Sequence, residues 1–223
     1  MIIGICGFIG SGKDTIADYL VNLHEFRRDS WANSLKDAVS AVFGWDRELL
    51  EGRTRQSREW RETVDPWWSQ RLNMPQLTPR SILQLWGTEV CRQHFHDDIW
   101  VASVENKLRK TTDDIVISDC RFPNEIAAIR RVGGRVLWVR RDPLPEWYEC
   151  ALETLAAGED LYLMQKRGLG MHQQYPEIHA SEWAWLNTDF DLVIENNGTM
   201  DQLYSRVNDL VQDLQHARVN PAG

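Results

Sequence analysis

The clearest chemistry in this sequence belongs to a glycine-rich loop, Gly7-Phe8-Ile9-Gly10-Ser11-Gly12-Lys13-Asp14-Thr15. The loop follows an apolar run at residues 1–6 and precedes a helical pattern at residues 13–23. Glycines allow successive backbone N–H groups to point at phosphate oxygens, and a helix N-terminus adds partial positive charge. Lys13 supplies a mobile cation for the same phosphate. We therefore predict phosphate binding by Gly10, Ser11, Gly12, Lys13, Asp14 and Thr15.

Asp14 departs from the usual phosphate-loop pattern, in which a Ser or Thr hydroxyl after the lysine binds Mg²⁺. A Mg²⁺ ion would here be held by phosphate oxygens, by water and by a carboxylate or Thr15. The order Gly-Lys-Asp-Thr favours a kinase over a switch GTPase. A glycine-rich turn with an incidental lysine is the alternative, and it leaves the strand–loop–helix context unexplained.

Short apolar runs predict the strands that position this loop. They lie at residues 1–6, 115–119, 135–140 and 191–195. Helical patterns alternate with them, at residues 13–23, 34–43, 79–95, 98–110, 123–132, 146–157 and 200–216. The alternation predicts an α/β protein with three layers, α/β/α, around a central parallel sheet.

Ligands of such sheets bind outside the carboxyl ends of the strands. The glycine-rich loop and residues 119–121 and 196–199 all fall at that edge. We predict one domain over residues 1–223 with two elaborations, at about 45–110 and about 143–179. The segment 45–78 is rich in arginine and tryptophan, and Pro66 and Pro75 break any long helix there, so it resembles an elaboration over a site rather than core.

Composition narrows the class of protein. The chain has 223 residues and a net charge of -8, with 43% hydrophobic and 26% charged residues, which is typical of a globular protein. Neither an apolar run long enough to span a membrane nor a basic signal-like start is present. The acidic balance argues against a nucleic acid polymer as partner. Four dispersed cysteines, with no Cys-x-x-Cys pair, predict mostly buried, reduced thiols and a cytoplasmic location. Eleven tryptophans are unusual and suggest a planar ligand.

Five short blocks of polar, glycine and aromatic residues are spread along nearly the whole chain. They are Ser11-Gly12-Lys13-Asp14-Thr15; Ser34-Leu35-Lys36-Asp37; Arg80, Leu83-Gln84 and Gly87-Thr88-Glu89; Ile99-Trp100-Val101 with Ser118-Asp119-Cys120-Arg121-Phe122-Pro123-Asn124-Glu125; and His179-Ala180-Ser181-Glu182 with Asn196-Asn197-Gly198-Thr199. In these blocks the chain resembles the bacteriophage deoxynucleoside monophosphate kinases. Residues 45–73 and 145–176 match that family poorly.

The resemblance implies a P-loop kinase fold in which residues 45–110 bind the acceptor and residues 143–179 form a lid. It implies transfer of the ATP γ-phosphoryl group to a deoxynucleoside monophosphate (dNMP), giving dNDP and ADP. Mg²⁺ is the implied cofactor, and Asn197 and Gly198 are implied near the donor adenine. A homodimer and, for a phage protein, the host cytoplasm are further expectations.

The resemblance also assigns an acceptor site. Its members are Lys36, Arg61, Arg80, Gly87, Trp100, Asp119, Arg121 and Glu125, and the catalytic set is Lys13, Arg80, Arg121 and Asp119. Chemistry agrees for several of them, because arginine grips phosphate with two hydrogen bonds and tryptophan offers a flat face to a base. Asp119 follows a strand at the correct edge, where a carboxylate can order Mg²⁺-bound water or the acceptor.

Several of these residues have a structural alternative. The alternative for Asp119 is a cap of the next helix, and the alternative for Trp100 is a place in the core. The alternative for Arg121 is an ion pair with Glu125, four residues later. The sequence Asn196-Asn197-Gly198 is equally a simple turn. Lys166 and Arg167 are either lid cations or a solvated surface, and the role of His179 is open. The segment His94-Phe95-His96-Asp97-Asp98 suits a helix junction better than a metal site.

Two other functions remain open. One is a P-loop kinase of another small phosphorylated or hydroxylated metabolite, and the other is a non-catalytic module that binds ATP. The Asp-x-Arg-x-x-x-Glu spacing of residues 119–125, together with Trp100, favours a nucleotide acceptor.

Overall fold

The computed structural model describes residues 1–158 and 161–219, and it comprises two units. The sheet unit consists of Met1–Ser30 with Lys107–Gly223, and the helical unit is Trp31–Asn106. The predicted division into one domain with two elaborations stays a prediction. No helix within the described ranges is both long and apolar enough to cross a membrane.

Five parallel strands form the centre of the sheet unit. They are β1 (Ile2–Cys6), β2 (Arg27–Asp29), β3 (Ile115–Ile117), β4 (Arg135–Arg140) and β5 (Leu192–Glu195), in the order β2-β3-β1-β4-β5. Strand β1 pairs with β3 on one side and with β4 on the other. The chain thus reverses its direction across the sheet beside β1, which is where ligands of open α/β sheets bind.

The helices are numbered along the chain. They are α1 (Lys13–Leu23), α2 (Asn33–Phe43), α3 (Arg47–Glu51), α4 (Arg55–Arg61), α5 (Pro66–Leu72), α6 (Pro79–Gln84), α7 (Ile99–Leu108), α8 (Pro123–Arg131), α9 (Tyr148–Ala156), α10 (Leu161–Arg167), α11 (Met171–Gln174) and α12 (Met200–Val219). A π-helix spans Leu85–Phe95, and a 3₁₀ turn spans Ala180–Glu182.

Buried aliphatic side chains join the sheet to the helices on both faces. Ile5 of β1 and Val139 of β4 belong to one buried cluster that also includes Leu20 of α1 and Val207 of α12. On the other face, α8 packs against β1 and β4. A parallel sheet needs cover on both faces, which explains why its central strands are almost continuously apolar. The three-layer α/β/α prediction is confirmed.

The helical unit has a core of its own, and tryptophans build it. Its buried residues are Val39, Trp45, Leu50, Leu77 and Ile82, with Phe43, Trp60, Trp68 and Trp86 packed against them. Two of these indole groups also hydrogen bond: Trp45 Nε1 donates to Asp65 Oδ2 at 2.9 Å, and Trp68 Nε1 donates to the Phe43 carbonyl at 3.1 Å. Trp45, Trp60 and Trp68 thus belong to a core, so the expectation that residues 45–78 contribute no core was wrong for these three residues.

Most predicted elements near the site have the expected bounds. Helix α1 and strand β4 begin and end at the predicted residues, and Gly44, at φ 70°, ends α2 as expected. Strand β2 was not predicted, because strands were predicted from apolar runs and Arg27-Arg28-Asp29 contains no apolar residue. The helix predicted over 79–95 is α-helical only to Gln84 and continues as the π-helix.

Candidate active site

The glycine-rich loop connects β1 to α1, and Lys13 is the first residue of that helix. The Lys13 ammonium donates to two backbone carbonyls of the loop, to Gly7 at 2.7 Å and to Phe8 at 2.8 Å. Burial, and then the positive charge of Arg121, lower the pKa of Lys13 from its ordinary value. Arg121 follows β3, the parallel neighbour of β1, so both cations belong to the carboxyl edge of the sheet.

The loop requires glycine at two positions. Gly12 has φ +102°, and a Cβ atom there would lie 2.5 Å from Asn196 Nδ2. A Cβ atom on Gly7, at φ +153°, would lie 2.6 Å from the Val139 carbonyl oxygen. Asn196 also donates from Nδ2 to the Ser11 carbonyl at 2.8 Å. The side chain of Asn196, which the predicted site omitted, thus supports the loop from the end of β5.

Asn197 and Gly198, predicted to contact the donor, belong to the same corner. Asn197 Nδ2 donates to Asp142 Oδ2 at 2.7 Å, and Asn197 Oδ1 accepts from the Asp142 backbone N–H at 2.8 Å. These bonds join the loop after β5 to the loop after β4. The exposed Arg141 side chain donates to the Gly10 carbonyl at 3.3 Å, a contact that no sequence pattern predicts. Contact of Asn197 and Gly198 with adenine stays a prediction.

Asp14, at the position where a hydroxyl is usual, is held by a cation and a hydroxyl. Arg28 of β2 donates from Nη2 to Asp14 Oδ1 at 2.8 Å and from Nη1 to Asp18 Oδ1 at 3.0 Å. Ser118 Oγ donates to the same Asp14 oxygen at 2.9 Å and accepts from Arg28 at 3.0 Å. Arg28 therefore offsets a negative charge at the edge of the loop that would otherwise repel phosphates.

Replacing Arg28 with glutamine is expected to raise the KM for ATP severalfold, because the exposed Asp14 carboxylate loses its cation beside the phosphate-binding loop. Coulomb's law gives about 1 kcal/mol for such a pair at 4 Å in water, which sets the scale of the effect. Arg27→Gln is the matched control, since Arg27 pairs with Asp113 instead. Steady-state kinetics with varied ATP measures the effect, and equal KM values in the two variants would contradict this role of Arg28.

Asp119, Arg121 and Glu125 follow β3 at the same edge. Asp119 Oδ2 accepts from Ser30 Oγ at 2.7 Å. Glu125 Oε2 is buried and accepts from the backbone N–H groups of Arg121 at 2.7 Å and Phe122 at 3.0 Å, so it caps α8. The alternative side-chain pair between Arg121 and Glu125 is wrong, since the guanidinium of Arg121 contacts Ser181 and Glu182 instead.

The oxygen atoms at this edge fit the chemistry of Mg²⁺. Asp119 carries a carboxylate, and Thr15, a half-buried residue of α1, carries a hydroxyl. Mg²⁺ prefers oxygen ligands, keeps several waters and is commonly bound through substrate phosphates, so one or two protein oxygens suffice. The Asp14 carboxylate is less suited, because Arg28 and Ser118 already bind it. Across residues 1–158 and 161–219, the structure contains no cluster of three or more His, Cys, Asp or Glu side chains suited to a metal.

The helical unit contains the other predicted acceptor residues in three groups. Lys36 pairs with Glu51 at 2.8 Å. Burial works to raise the pKa of Glu51, but hydrogen bonds from Lys36 and Arg47 hold it below its ordinary value. Burial, and then the positive charge of Arg80, lower the pKa of Arg61 from its ordinary value. Arg80 itself pairs with Glu62, the residue after Arg61, at 3.1 Å.

Gly87 and Trp100 form the third group. Trp100 is only 9% exposed, and its indole N–H donates to the Gly87 carbonyl at 2.9 Å. A Cβ atom on Gly87 would lie 2.7 Å from Leu35 Cδ2, so a side chain there would displace Leu35. Trp100 thus supports the π-helix. Its contact with a nucleobase, like the acceptor roles of Lys36, Arg61 and Arg80, stays a prediction.

The remaining candidates are the two histidines at residues 94–96 and the two cations of α10. His94 Nδ1 contacts the Glu89 carbonyl and His96 Nδ1 accepts from the Asp98 N–H, as expected for a helix junction. Lys166 and Arg167 are exposed at the end of α10. The lid role predicted for these two cations stays a prediction.

A parallel sheet with this loop, lysine and helix N-terminus at its carboxyl edge defines a P-loop protein. Comparison with known proteins identifies the class of P-loop protein as a kinase. A family model described as deoxynucleotide monophosphate kinase matches residues 69–147. A protein of Acanthamoeba polyphaga mimivirus, provisionally named deoxynucleotide monophosphate kinase, is 26% identical over 221 residues, which are 93% of this chain and 94% of that protein.

Deoxynucleoside-5'-monophosphate kinase of Escherichia phage T5 is 28% identical over 179 residues, which are 58% of this chain and 72% of that protein. Among solved structures, shikimate kinase of Aquifex aeolicus aligns over 100% of both chains with a TM-score of 0.39 and 10% identity. The sequence relatives confirm the resemblance to deoxynucleoside monophosphate kinases and the prediction that this chain is a kinase.

Proposed function

We propose that this protein transfers the γ-phosphoryl group of ATP to a dNMP and releases dNDP and ADP. The observation that carries the proposal is the position of two cations, Lys13 after β1 and Arg121 after β3, at the carboxyl ends of two paired parallel strands. One cation lies in the phosphate-binding loop, and the other follows the neighbouring strand. Such a pair suits a reaction with a phosphate on both the donor and the acceptor. The names of the mimivirus and phage T5 relatives support the same acceptor class.

Phosphoryl transfer depends chiefly on positioning and electrostatic stabilisation. Lys13 must exchange the carbonyls of Gly7 and Phe8 for phosphate oxygens, so ATP replaces two hydrogen bonds that the loop makes to itself. The N–H groups of residues 10–15 would bind the same phosphates. Asp119 or Thr15 would hold Mg²⁺ through a side-chain oxygen, and the bound ion would supply electrostatic stabilisation of the charge on the transferring group.

Arg121 binds and aligns the acceptor phosphate in this proposal. A phosphate oxygen is already ionised at neutral pH, so the reaction needs no general base to activate the nucleophile. Asp119 orders the acceptor or the water around Mg²⁺, while Glu125 holds the backbone of Arg121. The resemblance adds Lys36, Arg61, Arg80, Gly87 and Trp100 to acceptor binding. Single alanine variants that raise the KM for dNMP would identify the true contributors among the side chains.

An ADP-release assay with ATP, Mg²⁺ and a panel of deoxynucleoside and ribonucleoside monophosphates tests the proposal. We expect turnover with at least one dNMP, and loss of turnover when EDTA removes Mg²⁺. ATP binding without turnover on any monophosphate would indicate a binding module. Turnover confined to a metabolite without a nucleobase would indicate another P-loop kinase. Either outcome overturns the proposal.

Two further expectations accompany this function. The phage and virus relatives favour the host cytoplasm as the setting, where dNMPs and ATP are both available. Partners would then be these small molecules rather than a nucleic acid polymer. The homodimer that the resemblance implies would be tested by sedimentation of the purified chain with and without nucleotides.

A further inference from the structure

The segment His179-Ala180-Ser181-Glu182 contacts the side chain of Arg121. The Arg121 Nη1 group donates to Glu182 Oε1 at 2.5 Å and to Ser181 Oγ at 3.4 Å. About sixty residues separate the two partners in sequence, and both belong to the sheet unit. Glu182 is 23% exposed and Arg121 is 43% exposed, so this pair is partly desolvated at the border of the site.

The contact occupies only one corner of the guanidinium group. Within residues 1–158 and 161–219, both side-chain hydrogen bonds of Arg121 come from Nη1, and neither Nε nor Nη2 donates one. A guanidinium carries its five N–H donors in a rigid planar fork, so fixing one corner fixes the directions of the others. The free edge can still bind a phosphate with two parallel hydrogen bonds.

The Glu182 backbone is itself fixed by buried aromatic residues. Trp183 and Trp185 are 0% and 1% exposed, and Trp185 Nε1 donates to the Glu182 carbonyl at 3.0 Å. The Trp185 ring lies 5.1 Å from the ring of Phe8, within the glycine-rich loop. One packed layer therefore supports both the phosphate-binding loop and the residue that holds Arg121.

His179 orders the start of the same turn. Its Nδ1 atom accepts from the Ser181 backbone N–H at 3.2 Å and contacts Ser181 Oγ at 2.9 Å. The turn is closed by the Glu182 N–H, which donates to the His179 carbonyl at 2.9 Å. The block thus presents a hydroxyl and a carboxylate side by side toward Nη1 of Arg121.

We propose that Glu182 is a positioning residue for the acceptor phosphate: it holds Nη1 of Arg121 and leaves the Nε–Nη2 edge to bind that phosphate. Its carboxylate also offsets the repulsion between Arg121 and Lys13 before substrates bind. The inference rests on the proposed acceptor role of Arg121. It gives the His-Ala-Ser-Glu block a function in orientation rather than in direct binding.

Kinetics of Glu182→Ala and Glu182→Gln test the inference, with Glu177→Ala as control. Glu177 is exposed in the same segment, so its loss changes the net charge equally. We expect Glu182→Ala to raise the KM for dNMP about tenfold, the effect of 1.4 kcal/mol of lost orientation, while the KM for ATP changes less than about twofold. Glu182→Gln keeps an oxygen acceptor for Nη1 and should recover part of the loss.

A double-mutant cycle with Arg121→Ala separates orientation from general packing. If Glu182 acts through Arg121, Glu182→Ala has no further effect on dNMP use in the Arg121→Ala background. Equal effects in both backgrounds, or equal losses for ATP and dNMP, would overturn the inference. Thermal unfolding of each variant checks that it folds. A wild-type protein inactive on every dNMP overturns the proposed function as well, whereas an active wild type with a silent Glu182→Ala overturns this inference alone.

Discussion

Replacing Lys13 with alanine is expected to lower kcat for ADP release by about a thousandfold, the upper range for removing one preorganised charge from a transition state. Lys13 is the cation at the start of α1, inside the phosphate-binding loop. Its pKa is lowered by burial and by Arg121, yet its ammonium holds two carbonyl groups at 2.7 and 2.8 Å. Those short contacts show a donor that is already placed in the loop.

The loss should fall on kcat more than on the KM for ATP. The backbone N–H groups of residues 10–15 remain in the variant and continue to bind ground-state phosphates, whereas Lys13 acts on the charge of the transferring group. Steady-state and single-turnover kinetics with saturating ATP measure the change. Lys110→Ala, at an exposed turn, is the control. Activity within tenfold of wild type in Lys13→Ala would contradict the proposed mechanism.

The elements that hold the loop could be predicted because their signals are local. The signals for the loop lie within one short stretch of sequence: an apolar strand, three glycines and a lysine at the start of a helix. Helix α1 and strand β4 have the predicted bounds. Strand β2 could not be found in this way. Its sequence, Arg27-Arg28-Asp29, is polar because it lies at the edge of the sheet, and only its pairing with β3 makes it a strand.

The contacts between the site residues were harder to predict than which residues belong to the site. Arg28 reaches Ser118 across 90 residues, and Asn196 reaches Ser11 across 185. No spacing rule connects residues so far apart, since the sheet order alone brings them together. The sequence suggested Glu125 as the partner of Arg121 because four residues separate them. In the structure, Glu125 accepts a hydrogen bond from the backbone N–H of Arg121, and the Arg121 guanidinium forms its ion pair with Glu182.

The tryptophans illustrate the same limit. A high tryptophan content suggests a planar ligand, but the structure uses most of these rings for packing. Trp45, Trp60 and Trp68 serve the core of the helical unit, and Trp185 packs on Phe8 in the sheet unit. A segment that is polar and proline-broken in sequence can therefore still form a core, because large aromatic rings bury much area per residue. Trp67, which is 60% exposed, differs from these buried rings.

Arg121→Ala is expected to lower kcat/KM for dNMP by about a hundredfold or more, since hydrogen bonds to charged groups contribute about 1.5–3 kcal/mol each and the guanidinium edge can make two. The affinity for ATP should change far less. Arg121→Lys refines the test, because lysine preserves the charge opposite Glu182 but loses the planar fork. We expect its kcat/KM to remain closer to alanine than to wild type, with ATP binding unchanged.

Varied dNMP at saturating ATP, together with calorimetric titration of ATP alone, separates the two affinities. Arg109→Ala is the control, because Arg109 lies beside Met1 and Thr111 at the amino end of β1, the opposite edge of the sheet from the phosphate-binding loop. Equal losses of ATP and dNMP binding in Arg121→Lys would contradict the division of labour between Lys13 and Arg121. Arg121→Ala is the less specific variant, because it also leaves the Glu182 carboxylate without its cation. Arg121→Lys therefore decides the question: a dNMP defect with intact ATP binding in that variant assigns the acceptor phosphate to the guanidinium geometry rather than to charge alone.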